Sequence, residues 1–367
     1  MTNTNTNNSN DELGHSNSSS STDLLKSIPF FAFEVNHDSL FEDSKALLAQ
    51  VFPEWSAEDL LMTQCKDGIT NKLIQCANKR VGTTVLIRAY GKHTEVIIDR
   101  NQELINMAAL TRLGMCPPLY ARFQNGLVYG YIPGTVPKPE EMGNSQWAPL
   151  IAKRLAEWGQ VQLPSDHSPQ LFPILRRWMQ DIPQTYANKR ANDIFHKNFS
   201  HRALADELDF LHDLLLKVES PAVFSHNDLL SGNIIMSETK DKVSFIDYEY
   251  ATYNYRGFDI ANHFNEYAGF ECDYSRYPAK EAQLEWFKVY LGQANLDSSP
   301  ESLEKMYVEV CHFQLASHFY WGVWGLVQAS ISDIDFDYMD YARMRFEEYY
   351  KNKAQLLNWL YDNETKK

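Results

Sequence analysis

The chain has 367 residues and a formal net charge of −14, with 44% hydrophobic and 13% aromatic residues. That length exceeds a typical domain and predicts two lobes or two domains around an ample core. The acidic balance disfavours nucleic acid as a partner and suits a cationic substrate, while five widely spaced cysteines without a CxxC argue against a disulfide framework or a zinc site and for a reducing compartment, the cytoplasm.

Residues 1–22 are mostly Asn, Ser and Thr, with almost nothing apolar to bury. They predict a disordered tail over 1–27, and no basic region followed by an apolar stretch marks a secretory signal. The fold is expected to begin at "IPFFAFEV". "SLFEDSKALLAQVF" carries a helical apolar pattern. "LLMTQC", "NKLIQCA" and "TTVLIRAYG" read as strands, and "NQELINMAALTRLG" as a helix. "YARFQNGLVYGYIPG" reads as a hairpin turning at Asn125-Gly126, with Gly126 taking positive φ. Residues 28–135 thus form a β-rich lobe. "PGTVPKPEEMG" follows as a Pro/Gly-rich hinge. Residues 136–362 are mainly helical, with helices expected at 145–160, 171–190, 200–219, 257–268, 280–293, 301–331 and 338–361. Val310–Ser332 lacks Asp, Glu, Lys and Arg and is long enough to span a bilayer. Its His312, Gln314, Ser317, His318 and Gln328, with three aspartates directly after it, favour a buried helix and no stable membrane insertion.

Between short strand-like runs at 222–250 lies "SHNDLLSGNI", followed by "SFIDYEYA". Asn, Asp, Ser and Gly are ordinary turn residues, but a polar loop between buried strands is also where a scaffold positions chemistry. Asp228 and Asn233 have the Asp-x4-Asn spacing of a phosphotransfer loop, and Asp247 ends the next strand where a metal-binding carboxylate is required. The chain departs from protein kinases in having His226-Asn227-Asp228 for His-Arg-Asp and Asp247-Tyr248-Glu249 for Asp-Phe-Gly. A small β-rich lobe, a hinge and a helical lobe carrying this loop predict an α+β, two-lobed protein-kinase-like fold.

"HNDLLSGNII", "FIDYEYATYNYRGFDIANHFNEY" and "ASHFYWGVWGLVQA" resemble the choline/ethanolamine kinase family, relatives of the aminoglycoside phosphotransferases, across residues 37–355. "DGITNKL" and "HFNEYAGFECDYSRYP" resemble the ethanolamine branch, as does Leu230 where the choline branch commonly has Gln. The resemblance implies ATP and Mg2+ as cofactors and a small amino alcohol as substrate, and it admits a homodimer. It implies Asp228 as the catalytic carboxylate and Asn233 and Asp247 as metal ligands. It places Arg88 on the phosphates with Glu103 as its ion-pair partner, Asp67, Gly68, Asn71 and Lys72 in the loop over the phosphates, and Tyr131 and Ile132 at the adenine hinge. Glu249, Tyr250, Glu266, Trp321 and Trp324 border the substrate.

Plainer readings stand beside these. Arg88 is also what an edge strand exposes, Glu103 suits a helix start, Lys72 suits solvent, and His226 serves to brace the loop. Trp321 and Trp324, three apart on one helix face, are also ordinary core. The implied activity is ATP-dependent phosphorylation of ethanolamine. The alternatives are a choline or dual-specificity kinase, an antibiotic kinase of the same fold, and an inactive pseudokinase or binding protein.

Overall fold

A computed structural model describes residues 21–65, 71–91, 96–163, 166–332 and 334–364. Strands β1 (Phe30–Phe31), β2 (Leu60–Cys65), β3 (Asn71–Asn78), β4 (Thr83–Tyr90), β5 (Leu119–Phe123) and β6 (Gly126–Gly130) form one sheet in the order β1-β5-β6-β4-β3-β2. All pairs are antiparallel except β1 with β5. Alternation divides the sheet into two faces. Ile74, Val85, Ile87 and Val128 pack against Leu40, Leu47 and Leu48 of helix α2 (Leu40–Val51). The opposite face turns Leu73, Leu86, Arg88 and Tyr129 into the interlobe cleft.

Helix α1 (Ser21–Lys26) corrects the expected extent of the tail. Leu24 is 2% exposed and joins the core cluster that includes Leu104 and Met107 of α3 (Arg100–Arg112). Leu24, Leu25 and the following Ile28 are enough apolar surface to dock a short helix, which the polar residues around them obscured. Leu24→Ala is expected to lower unfolding stability by about 2 kcal/mol; the midpoint of urea denaturation checks this.

The β5–β6 hairpin closes one step earlier than expected, since Phe123 pairs with Gly126 and leaves Gln124-Asn125 as the turn. Gly126 does not take positive φ. It is needed because a Cβ there would collide with the Arg88 carbonyl and the Phe123 ring, so glycine lets β6 lie close along β4 beside Arg88.

The second lobe holds helices α4 (Ala148–Gly159), α5 (Leu171–Asp181), α6 (Lys189–Asn198), α7 (His201–Leu215), α8 (Arg256–Asn265), α9 (Lys280–Gln293), α10 (Pro300–Ile331) and α11 (Tyr338–Glu364). The helix expected over 171–190 ends at Asp181, because Ile182 precedes Pro183 and takes an extended conformation. Residues after Asn188, whose side chain accepts from the Ala191 N–H, begin the separate helix α6. Two short antiparallel pairs carry the polar loops: β7 (Ala222–Ser225) with β10 (Thr252–Tyr255), and β8 (Ile234–Met236) with β9 (Val243–Phe245). All but the last residue of the apolar segment at 310–332 lies in α10, and the segment is buried along most of its length. At Gly322 a Cβ would meet the Phe346 ring at 2.6 Å, so glycine lets α11 pack closely against α10. Among the described residues no helix is long and apolar enough to cross a membrane.

Candidate active site

The loop after β7 is held from outside by α8. The Asp259 carboxylate accepts the backbone N–H groups of His226 (3.0 Å) and Asn227 (2.8 Å). Asn227 sits at φ +65°, a left-handed conformation that Asn tolerates better than most residues. Its side chain donates to the Tyr250 carbonyl at 2.9 Å and accepts from Asn254 at 3.0 Å, and its own carbonyl accepts from Asn262 at 3.0 Å. His226 braces the loop: Nε2–H donates to the Ile246 carbonyl at 2.9 Å, while Nδ1 accepts the Asp228 N–H at 3.3 Å. Burial pushes the His226 pKa down to about 4, which keeps the ring neutral with one donor and one acceptor. Asp259→Ala would leave two buried N–H groups unpaired. The expected cost is about 3 kcal/mol of stability, together with loss of turnover, measurable by chemical denaturation and steady-state assay on the same preparation.

This bracing presents Asp228, 8% exposed, to the cleft. Asn233 Nδ2 donates to the Asp228 carbonyl (2.8 Å) and to its Oδ2 (3.0 Å). The amide nitrogen of Asn233 is thereby committed and Oδ1 is the atom left for a cation. Pairing of β8 with β9 sets Asp247 alongside, since the Ile246 N–H donates to the Asn233 carbonyl at 3.0 Å. Burial, then the charges of Asp247, Glu266 and Glu249, push the Asp228 carboxyl well above the usual carboxylate range.

Arg88 lies across the lobes, ion-paired to Glu103 through Nη2 and to Asp247 Oδ1 through Nη1 at 3.3 Å. Arg100 Nη1 reaches Glu103 Oε2 and Glu249 Oε2, each at 3.0 Å. Carboxylate oxygens of Glu103, Asp247 and Glu249 lie within 4.8 Å of one another. Burial first, and Glu249 second, raise the Asp247 pKa to about 7. A crowded set of hard oxygens like this suits a divalent cation, with Asn233 Oδ1, Asp247 and Glu249 facing the cleft. Glu249, expected to border the substrate, stands in the same carboxylate cluster as Asp247 and Glu103.

One cavity of about 530 Å3 joins these parts. At one end it is lined by Asn71, Leu86, Arg88, Tyr129, Tyr131 and Ile132, and in the middle by Asp228, Asn233, Asp247 and Glu249. At the other end stand Tyr250, Glu266, Phe270, Trp321, Trp324 and Tyr341. Trp321 and Trp324 meet edge to face at 5.3 Å, and Tyr250 meets Trp321 at 5.3 Å. Both indole N–H groups are committed, Trp321 to Asn262 Oδ1 at 2.6 Å and Trp324 to the Tyr250 hydroxyl at 2.9 Å. The tryptophans therefore form cavity wall with fixed orientation. Glu266 is ion-paired to Arg345 at 2.9 Å.

Lys72 is exposed and does not line the cavity. It alternates with Asn71 and Leu73 and points to the sheet face that buries Ile74. Asp67 and Gly68 lie outside the described residues.

The choline/ethanolamine kinase family model matches residues 62–350. The chain belongs to the choline/ethanolamine kinase family. Ethanolamine kinase 2 of Rattus norvegicus is 40% identical over 333 residues, covering 90% of this chain and 86% of that one. The probable ethanolamine kinase A of Dictyostelium discoideum is 39% identical, covering 89% and 97%. Among solved structures, the Plasmodium vivax ethanolamine kinase superposes with a TM-score of 0.78 at 29% identity, covering 92% of this chain and 94% of that one. A choline kinase from Cryptosporidium parvum gives 0.72 at 25% identity, covering 87% and 96%.

Sequence reasoning about this kinase missed Arg100, Asp259, Asn262, Tyr341 and Arg345. Arg100 was within reach, because it stands three residues before Glu103 at a helix start. Tyr341 and Arg345, four apart in α11, share a helix face, but nothing local said that the face meets Glu266.

Proposed function

We propose that this chain transfers the γ-phosphoryl group of ATP to the hydroxyl of ethanolamine, giving phosphoethanolamine, a head-group precursor for phospholipid synthesis in the cytoplasm. The observation that carries this is a single cavity in which Asp228 stands between a phosphate-and-cation end and an aromatic, acid-bearing end. The names of the relatives point to ethanolamine as the alcohol.

Asp228, held at the cleft by Asn233 and the bracing of its loop, stands where it can accept the proton of the attacking hydroxyl. Arg88, fixed by Glu103, grips phosphate oxygens. Asn233, Asp247 and Glu249 would hold Mg2+ through oxygens, the donors this ion prefers. When bound with the nucleotide, Mg2+ offsets the charge spread over the transferring group. Tyr131 and Ile132 wall the adenine end. Trp321, Trp324, Tyr250 and Tyr341 surround the ammonium, and Glu266 accepts its hydrogen bonds. The aromatic faces also suit a quaternary ammonium, so choline is the second substrate to weigh. An inactive pseudokinase is disfavoured because Asp228, Asn233 and Asp247 share one cavity. The test is ADP release from Mg-ATP with and without ethanolamine; release that depends on both ethanolamine and Mg2+ is expected, and none would refute the reading.

A further inference from the structure

Helix α3 opens on a residue that does not suit its position. Arg100 directly follows the Asp99 N-cap, and a cation at a helix N-terminus opposes the helix dipole. Its guanidinium serves contacts away from the helix axis instead. The Arg100 side chain is 15% exposed, and its Cζ lies over the Tyr90 ring, 4.1 Å from the centroid. Nη2 donates to Asn71 Oδ1 at 3.3 Å, while Nη1 reaches Glu103 Oε2 and Glu249 Oε2. Asn71 Nδ2 donates to the same Glu249 oxygen at 3.3 Å. Tyr90, Asn71 and Glu103 belong to the first lobe and Glu249 to the second, so this one side chain crosses the cleft at the acidic cluster.

The crossing changes what the cluster offers a metal ion. Arg88 and Arg100 set two guanidiniums against the three carboxylates of Glu103, Asp247 and Glu249. The cluster is thus largely neutralised from within the chain. A bare divalent cation would meet a guanidinium already seated on Glu249 Oε2 and would have to displace it or share the oxygen with it. A unit charge a few ångströms away in a poorly solvated site changes the affinity for such an ion by about tenfold or more. A nucleotide alters the balance, because its triphosphate brings negative charge and further oxygens to complete the set, the usual way in which Mg2+ is held.

We propose that Arg100 is a resident counter-cation: a positioning residue that acts through Glu249 and keeps the acidic cluster from capturing a divalent cation until a nucleotide arrives with it. This rests on the kinase reading above. The test titrates Mn2+ alone, a probe that takes oxygen sites of the Mg2+ kind, into nucleotide-free protein and reads free Mn2+ by its paramagnetic resonance signal. Wild type, Arg100→Met, Arg100→Lys and the double variant Arg100→Met/Glu249→Gln are compared, each with its thermal midpoint with and without Mn2+. Arg100→Met keeps an apolar stem over Tyr90 and removes the charge. It is expected to bind Mn2+ at least about tenfold more tightly than wild type. Its midpoint should fall without cation and recover when Mn2+ is added. Arg100→Lys keeps the charge, and its Mn2+ affinity should stay within about threefold of wild type. The double variant should lose the gain, since the released Glu249 carboxylate is what captures the ion. Unchanged Mn2+ affinity in Arg100→Met, an equal gain in Arg100→Lys, or a gain that persists without the Glu249 carboxylate would overturn the proposal. So would a fall in midpoint that Mn2+ does not reverse, the mark of a merely structural arginine. If Arg100→Met does not fold, unchanged Mn2+ affinity in Arg100→Gln overturns it alone. A wild type that releases no ADP with ethanolamine takes down the kinase reading, whereas an active wild type whose Mn2+ affinity is indifferent to Arg100 takes down this proposal alone.

Discussion

Asp228→Asn is expected to reduce kcat by about a thousandfold while nucleotide affinity stays within about threefold of wild type. The substitution preserves shape and leaves an oxygen able to accept from Asn233, which now holds Oδ2 at 3.0 Å. It removes only the basic site. That site is costly to maintain: burial and the charges of Asp247, Glu266 and Glu249 all work against its ionised form. A fold that stabilised Asp228 merely as a loop residue would gain from the amide. The carboxylate matters when the hydroxyl proton departs, so its loss falls on the transition state rather than on ground-state binding. Steady-state rates beside nucleotide titration by intrinsic tryptophan fluorescence separate the two effects. Turnover close to wild type would remove Asp228 from the reaction.

Asp247→Asn is expected to abolish more than about 99.9% of activity for a different reason, failure to hold the metal–nucleotide pair. Asparagine is the informative replacement because Asp247 sits at φ +61°, where alanine would add about 1 kcal/mol of backbone strain. Without metal, stability should change little. The variant loses the 3.3 Å pairing with Arg88 but also relieves the crowding with Glu249 that helps raise the Asp247 pKa to about 7. With Mg-ATP the two proteins should part: a ligand that binds only the folded state raises the thermal midpoint, strongly in wild type and hardly at all in the variant. An equal rise in both would mean that Asp247 is not a metal ligand.

The strands of the first lobe were legible because alternation and turn residues are local signals, and β2 to β4 lie where the sequence placed them. The same alternation, pressed further, separates Lys72 from Asn71 and Leu73, since a core residue at Ile74 puts its neighbour two positions away on the same face. Pro183 carried the signal that ends α5, but the helix expected over 171–190 ran through it. Other features could not be read locally. Glu249 meets Arg100 across 149 positions, and Glu266 meets Arg345 across 79. Spacing along the chain says nothing about such pairs, in which the fold gives each glutamate a guanidinium. The proximity of Asp228, Asn233 and Asp247 was legible because strand–loop–strand geometry is itself local, and the β8–β9 ladder turns their spacing into proximity.

The central claim is that this cavity passes phosphate to ethanolamine in preference to choline. Equal concentrations of the two alcohols, limiting Mg-ATP and phosphorus-31 NMR read the outcome in one tube, because both alcohols compete for the same enzyme. Phosphoethanolamine is expected to exceed phosphocholine by at least about tenfold, or about 1.4 kcal/mol in transition-state free energy. Equal amounts, or an excess of phosphocholine, would contradict the account.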